Sequence, residues 1–321
     1  MTGSRSPPRI AIRASTPPWI ADQVRNDKPR GRPAQVARSP CPVYRAGSMH
    51  TRSIPASGQP IPVIGCGTWL GFDVGASPRE LPQRGEVLAA LFAAGGSVID
   101  SSPMYGSAEA VVGELLQTSG SRDRTFLATK IWTSGEQAGI AQMERSIQLL
   151  RTRHIDLMQV HNLLDWRTHL ATLRDWKAQG RISYIGVTHY TEAAHPELAQ
   201  VMSAEPLDFV QFNYSVDARG AERRLLPLAA GRGIAVIVNL PFGGGRLLRS
   251  LRQRPLPAWA AEIGCTGWNQ LLLKFVLAQP AVTCAIPGTS NPQHMRDNAL
   301  AGEGELPGPD YWKTRVRELM P

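Results

Sequence analysis

Short apolar runs rich in β-branched residues alternate with amphipathic segments along most of the chain. The runs fall near 61–66 (IPVIGC), 97–101 (SVIDS), 125–130 (TFLATK), 155–161 (IDLMQVH), 183–189 (SYIGVTH), 208–213 (DFVQFN), 234–240 (IAVIVNL) and 282–287 (VTCAIP). Between them the period changes to that of a helix. EQAGIAQMERSIQLL at 136–150 puts Ile140, Met143, Ile147 and Leu150 on one face. RGEVLAALFAAG, THLATLRDWKAQG, AERRLLPLAAGRG and WNQLLLKFVLAQ read as helices too. Successive runs begin 25 to 48 residues apart, the length of a strand–helix unit. Near-continuous apolar strands separated by helices predict a parallel sheet covered on its outer face. Eight such units predict an α/β protein of the (β/α)8 TIM-barrel class.

An open doubly wound sheet is the rival arrangement. Its phosphate-binding fingerprint has three glycines opening a helix, and GCGTWLG at 65–71 comes close. Leu70, however, stands where the third glycine belongs, and the following FDVGASP reads as loop. The barrel is therefore preferred. Ahead of it, RSIPASGQP reads as a short hairpin turning at Ser57-Gly58 and placed at the barrel floor.

Composition supports a globular body, with 42% hydrophobic and 19% charged residues. No apolar run approaches the roughly 18–20 residues of a membrane-spanning helix, and no membrane partner is expected. The net charge of +9 suggests nucleic acid until it is located. Residues 1–48 hold nine basic side chains against two acidic ones, leaving a net charge of only +2 in 49–321. A nearly neutral body argues against a nucleic-acid-binding face. The first 48 residues, with eight prolines and few large apolar side chains, are expected to be a disordered tail. Their composition weakly resembles a transit peptide, and a true start at Met49 is the simpler expectation. Residues 49–321 form the single barrel domain. Cys41, Cys66, Cys265 and Cys284 are scattered, with no metal-site spacing. Free thiols in the cytoplasm, and no bound metal, are expected.

In a barrel of this type, chemistry belongs to the C-terminal ends of the strands. The second run ends at Asp100, with Tyr105 five residues on; the third ends at Lys130 and the fourth at His161. Each alone has an ordinary structural reading: helix cap, packing ring, rim charge, hydrogen-bonded strand end. Four ionisable groups at the mouth of three consecutive strands can converge on one site. Here the chain resembles the aldo-keto reductase family over roughly residues 54–300. The resemblance is carried by GTW at 67–69, IDSSPMYGSAEAVVGELL at 99–116, KIW at 130–132 and VHN at 160–162. GVTHY at 186–190, VQFNYS at 210–215 and IPGTSNPQHMRDN at 286–298 complete it.

The resemblance implies an enzyme that reduces aldehydes or ketones with NADP(H), NAD(H) not being excluded. It implies Tyr105 as proton donor, Lys130 as its counter-charge, Asp100 as the holder of Lys130, and His161 as a hydrogen-bond donor to the carbonyl oxygen. Trp69, Trp132 and Asn162 would line the substrate pocket. Thr68, Thr188, His189 and Gln211 would lie at the nicotinamide. Asn239, Leu240 and Phe242 occupy the stretch where relatives place the ring-stacking aromatic, and Asn239 stands at that position. Gly288, Thr289, Ser290, His294, Arg296, Asp297 and Asn298 would face the phosphates and adenosine. Two other readings remain open: a cofactor-binding regulatory subunit without turnover, and a Schiff-base lyase with Lys130 as nucleophile. The expected partner is a small carbonyl compound; neither its identity nor the oligomeric state follows from the sequence.

Overall fold

The computed structural model describes residues 49–320. The expectations for residues 1–48, Cys41 among them, lie outside the described residues. The chain begins with an antiparallel hairpin of β1 (Thr51–Ser53) and β2 (Pro60–Pro62), turning through Gly58 at φ +75°. Eight parallel strands follow. They are β3 (Cys66–Gly67), β4 (Val98–Asp100), β5 (Phe126–Ile131), β6 (Ile155–His161), β7 (Ile182–Thr188), β8 (Phe209–Asn213), β9 (Ala235–Asn239) and β10 (Val282–Ala285). Each pairs in parallel with the next. Parallel bridges from Ile64 to Ala285 and from Gly67 to Gly288 close the ring.

The expected strand at 61–66 is split. Pro60 and Pro62 have no N–H to give a barrel ladder, so their segment pairs with β1 instead, and only Cys66–Gly67 joins the barrel. The glycines of GCGTWLG serve this seam. A Cβ on Gly65 would lie 2.8 Å from the Val98 carbonyl oxygen, and one on Gly67 would lie 2.9 Å from that of Ile286. They let backbones close, rather than cradling phosphate.

Helices α1 (Leu81–Ala93), α2 (Ala108–Ser119), α3 (Glu136–Leu149), α4 (Trp166–Ala178), α5 (His195–Ala204), α6 (Leu225–Arg232), α7 (Arg246–Leu251), α8 (Trp268–Leu277) and α9 (Pro292–Ala299) cover the sheet. The segment expected as one helix from Ala221 divides: Gly220–Arg223 is a tight turn, and the α-helix starts only at Leu225. The apolar stripes of the helices and the outward residues of the strands make the main core.

Inside the ring, side chains two apart along each strand form layers. Val98, Phe126, Tyr184 and Phe209 fill the floor, beneath Ala128, Leu157 and Ile237. Ile54 and Ile61 of the hairpin join this cluster, and the Tyr184 hydroxyl meets Ser57 and Gln59 at 2.7 Å. The hairpin thus plugs the floor as expected. One step higher, the inward positions become Asp100, Lys130, Gln159 and Gln211, so the barrel is apolar below and polar above.

Arg52 in β1 clips the hairpin to the end of α8. Its guanidinium donates to the carbonyls of Leu277, Gln279 and Val282. Removing a cation from three carbonyls makes Arg52→Ala a destabilising change of about 2–3 kcal/mol. A urea titration checks this; a loss below about 0.5 kcal/mol would show the clip to be idle.

Candidate active site

The upper layer is joined by hydrogen bonds. Lys130 Nζ donates to Asp100 Oδ2 at 2.6 Å and to the Ser101 carbonyl at 2.7 Å. The other Asp100 oxygen accepts from Gln211 Nε2 at 3.0 Å and Gln159 Nε2 at 3.3 Å. Thr188 in turn donates to Gln211 Oε1 at 3.1 Å. Thr68, just past β3, has its hydroxyl within hydrogen-bond reach of the Asp100 carbonyl and Ser101 Oγ, each at 3.0 Å. Lys130 is fully buried and Asp100 almost so. Burial pulls the Lys130 ammonium below its ordinary value, while Asp100 and the buried Glu109 of α2 pull it back. An ion pair without water is worth keeping only because its remaining polar atoms are also bonded.

Tyr105 comes to this pair on the loop between β4 and α2. Asp73 holds the loop from outside: its carboxylate accepts from the Ser107 N–H and hydroxyl, each at 2.8 Å. Ser107 Oγ also accepts from the Gly75 N–H at 2.8 Å. The ring of Tyr105 then lies 5.1 Å from Lys130 Nζ. His161 meets it edge-on at 5.9 Å, and Trp69 lies 6.4 Å away. Burial, then the Asp100 charge, raises the Tyr105 phenol well above its ordinary value. The resting ring therefore keeps its proton at neutral pH. Burial, with Lys130 and His189 nearby, pushes His161 well below its ordinary value, leaving a neutral imidazole.

The chain leaves His161 through left-handed backbone at Asn162, Leu163 and Asp165, with φ of +54°, +55° and +49°. Such backbone is costly for side chains with a Cβ and must be held from outside. The Asp165 carboxylate does so by accepting from Gly135 N–H at 2.7 Å and Thr168 Oγ1 at 2.8 Å. Asn162 Oδ1 is buried here with no partner among the described residues. Trp132, directly after β5, is half-buried, and its N–H donates to Gln142 Oε1.

On the opposite rim, His189 Nδ1 accepts from the Tyr190 N–H at 3.0 Å and its ring stacks on Tyr190. Asn239 Nδ2 reaches the His189 carbonyl at 3.5 Å, while its Oδ1 is buried with no partner among the described residues. Leu240 follows at φ +49°, and Phe242 is buried in the main core. Gly243, Gly244 and Gly245 all have positive φ, a run of bare backbone that a ligand can approach closely. Gly288 lies on the seam, and Thr289 is buried with Ser290 beside it. Asn291 caps α9 by accepting from the Gln293 N–H. His294 Nδ1 lies 3.5 Å from Thr289 Oγ1. Arg296 donates to Gln293, which donates to Asp297. Asn298 is buried and accepts from Asn269 of α8, which ties two helices together. The orphaned Asn239 oxygen and the three-glycine run fit a polar ligand lying along this rim.

Residues 63–313 match the model of the Aldo/keto reductase family. The chain belongs to this family. Methylglyoxal reductase YeaE of Escherichia coli (strain K12) is 32% identical over 254 residues, covering 77% of this chain and 87% of that protein. An aldo-keto reductase of Mycobacterium sp. (strain KMS) is 29% identical over 260 residues, 78% of this chain and 86% of its own. Among solved structures, an aldo/keto reductase of Klebsiella pneumoniae in complex with NADP and acetate superposes with a TM-score of 0.68. It is 28% identical and covers 82% of this chain and 92% of its own.

For this aldo/keto reductase, the structure brings Asp100, Tyr105, Lys130 and His161 together, with Thr68, Trp69, Thr188 and Gln211 against them. His189 and Asn239 meet on the opposite rim, and Gly288 to Asn298 follow on from the seam. Sequence reasoning missed Asp73, Ser102, Gln159 and Arg84. Gln159 was within reach, being the inward residue two before His161. Arg84 is buried on α1 and donates to the carbonyls of Gly71 and Ser290, bracing the start of the α9 segment. Among the described residues no cluster could hold a metal ion, and no helix is long and apolar enough to cross a membrane.

Proposed function

We propose that this protein reduces small carbonyl compounds to alcohols with NADPH, 2-oxoaldehydes of the methylglyoxal type foremost. The observation that carries the reading is the Asp100–Lys130 pair set beside the Tyr105 and His161 rings at the polar end of the barrel. Family membership, the methylglyoxal reductase relative and the NADP-bound Klebsiella protein support it. The cofactor, when bound, supplies a hydride to the carbonyl carbon.

Thr188, His189, Gln211 and Asn239 would hold its nicotinamide end, and residues 288–298 its phosphates and adenosine. His161, neutral, donates a hydrogen bond to the carbonyl oxygen and orients it. Tyr105 keeps its proton in the resting site and gives it to that oxygen as negative charge develops there. The phenolate left behind faces the Lys130 ammonium, which among the described residues uses two of its three N–H groups, on Asp100 and Ser101. Trp69 and Trp132 offer apolar walls to the substrate. A buried, doubly hydrogen-bonded ammonium is a poor nucleophile, which disfavours Schiff-base chemistry on Lys130.

Arg296 is the cation we assign to the 2′-phosphate, since Gly288 and His294 stand where relatives carry basic residues. Arg296→Ala is expected to weaken NADPH binding about 10-fold or more while changing NADH binding less than about two-fold. Tryptophan-fluorescence titrations with both cofactors check it, and equal losses would remove Arg296 from that role. The function itself is tested by following NADPH absorbance at 340 nm against aldehydes, ketones and dicarbonyls. Consumption with methylglyoxal or phenylglyoxal is expected; silence across all three classes would sink the reading.

A further inference from the structure

The His161 ring has one hydrogen bond to the protein among the described residues, from Nδ1 to Ser102 Oγ at 3.0 Å. Ser102 is buried without exposed surface, two residues beyond Asp100. Its hydroxyl oxygen accepts from the Met104 N–H at 3.4 Å, and its carbonyl accepts from the Tyr105 N–H at 3.0 Å. Ser102 therefore opens the turn that delivers Tyr105 and touches His161 at the same time.

A neutral imidazole carries one hydrogen, and the neighbour of one nitrogen decides which nitrogen has it. Two arrangements are possible. If Nδ1 carried the hydrogen, Ser102 Oγ would accept from both His161 and Met104, and its own hydrogen would have no acceptor among its partners. If Ser102 donates to Nδ1, its hydroxyl hydrogen and its oxygen are both used, and the hydrogen of the imidazole sits on Nε2. The second arrangement gives the buried Ser102 hydrogen an acceptor and Nδ1 a donor, whereas the first strands the Ser102 hydrogen.

The geometry points to Ser102 as a positioning residue that fixes His161 in its Nε2–H tautomer, the form able to donate to a carbonyl oxygen at the ring's free nitrogen. The inference rests on the carbonyl-reduction reading for what that hydrogen does, though not for where it sits. In the Nδ1–H form, Nε2 would present a lone pair to the substrate oxygen and repel it. Ser102 thus couples the two donors: one residue sets the register of Tyr105 through its backbone and the polarity of His161 through its side chain.

The test begins with the protein free of substrate. Nitrogen-15 NMR of labelled histidine, with His161→Gln to assign the signal, reads the tautomer directly. The parent is expected to show Nε2–H and an unprotonated Nδ1. The Nδ1–H form would overturn the inference, whatever carbonyl compound the enzyme prefers. In kinetics, Ser102→Ala is expected to lower kcat about 10-fold or more, with KM for NADPH and its dissociation constant within about two-fold of the parent. Ser102→Thr, which keeps the hydroxyl, is expected to recover most of that loss. An alanine variant with parental kcat would equally overturn it.

Discussion

Tyr105→Phe is expected to lower kcat for carbonyl reduction by about 1,000-fold and to leave the NADPH dissociation constant within about two-fold. In the proposed reaction the phenol matters at one moment, when the carbonyl oxygen gathers charge and needs a proton. The phenyl ring keeps the packing against Trp69 and His161 seen here. Its loss is therefore confined to the transition state and appears in kcat rather than in binding. Melting should stay near the parental value, since the Asp100–Lys130 pair is untouched. Steady-state rates at saturating NADPH, with a fluorescence titration alongside, decide it. Activity within a few-fold of the parent would take Tyr105 out of the acid role.

Lys130→Met is expected to be as severe for turnover and, unlike Tyr105→Phe, to cost stability as well. The methionine fills most of the space but leaves Asp100 buried with its Oδ2 partner gone. Breaking such a pair typically costs about 3–5 kcal/mol. Gln159 and Gln211 still donate to the other carboxylate oxygen, which places this case at the lower end, about 3 kcal/mol. The phenolate formed at Tyr105 also loses the facing cation, so kcat should fall about 1,000-fold. Thermal or urea unfolding together with kcat separates the two variants. A Lys130→Met protein with parental stability would mean that the pair contributes little to holding the fold.

The barrel was legible because its signal is repeated: apolar runs at strand–helix spacing leave few other folds. The candidate catalytic residues were legible for a related reason. Asp100, Lys130 and His161 are each polar residues closing an apolar run, and inward positions two apart change from Phe126 to Ala128 to Lys130. What stayed hidden depends on partners distant in sequence. Arg52 and Arg84 bond main-chain carbonyls, which every residue has, so nothing in the sequence marks the acceptor. Ser102 meets His161 across 59 positions through one hydroxyl, and reads in isolation as a turn residue. The first barrel strand was misplaced because Ile61 and Val63 look like strand core, whereas the prolines at 60 and 62 divert the segment into the hairpin.

Hydride transfer itself is traced by running the reaction with NADPH carrying deuterium at both C4 positions and analysing the product alcohol by mass spectrometry. One deuterium on the former carbonyl carbon, with no borohydride-trappable adduct on Lys130, is the expected result. An unlabelled product, or a substrate adduct on Lys130, would contradict the assignment of this barrel mouth to carbonyl reduction.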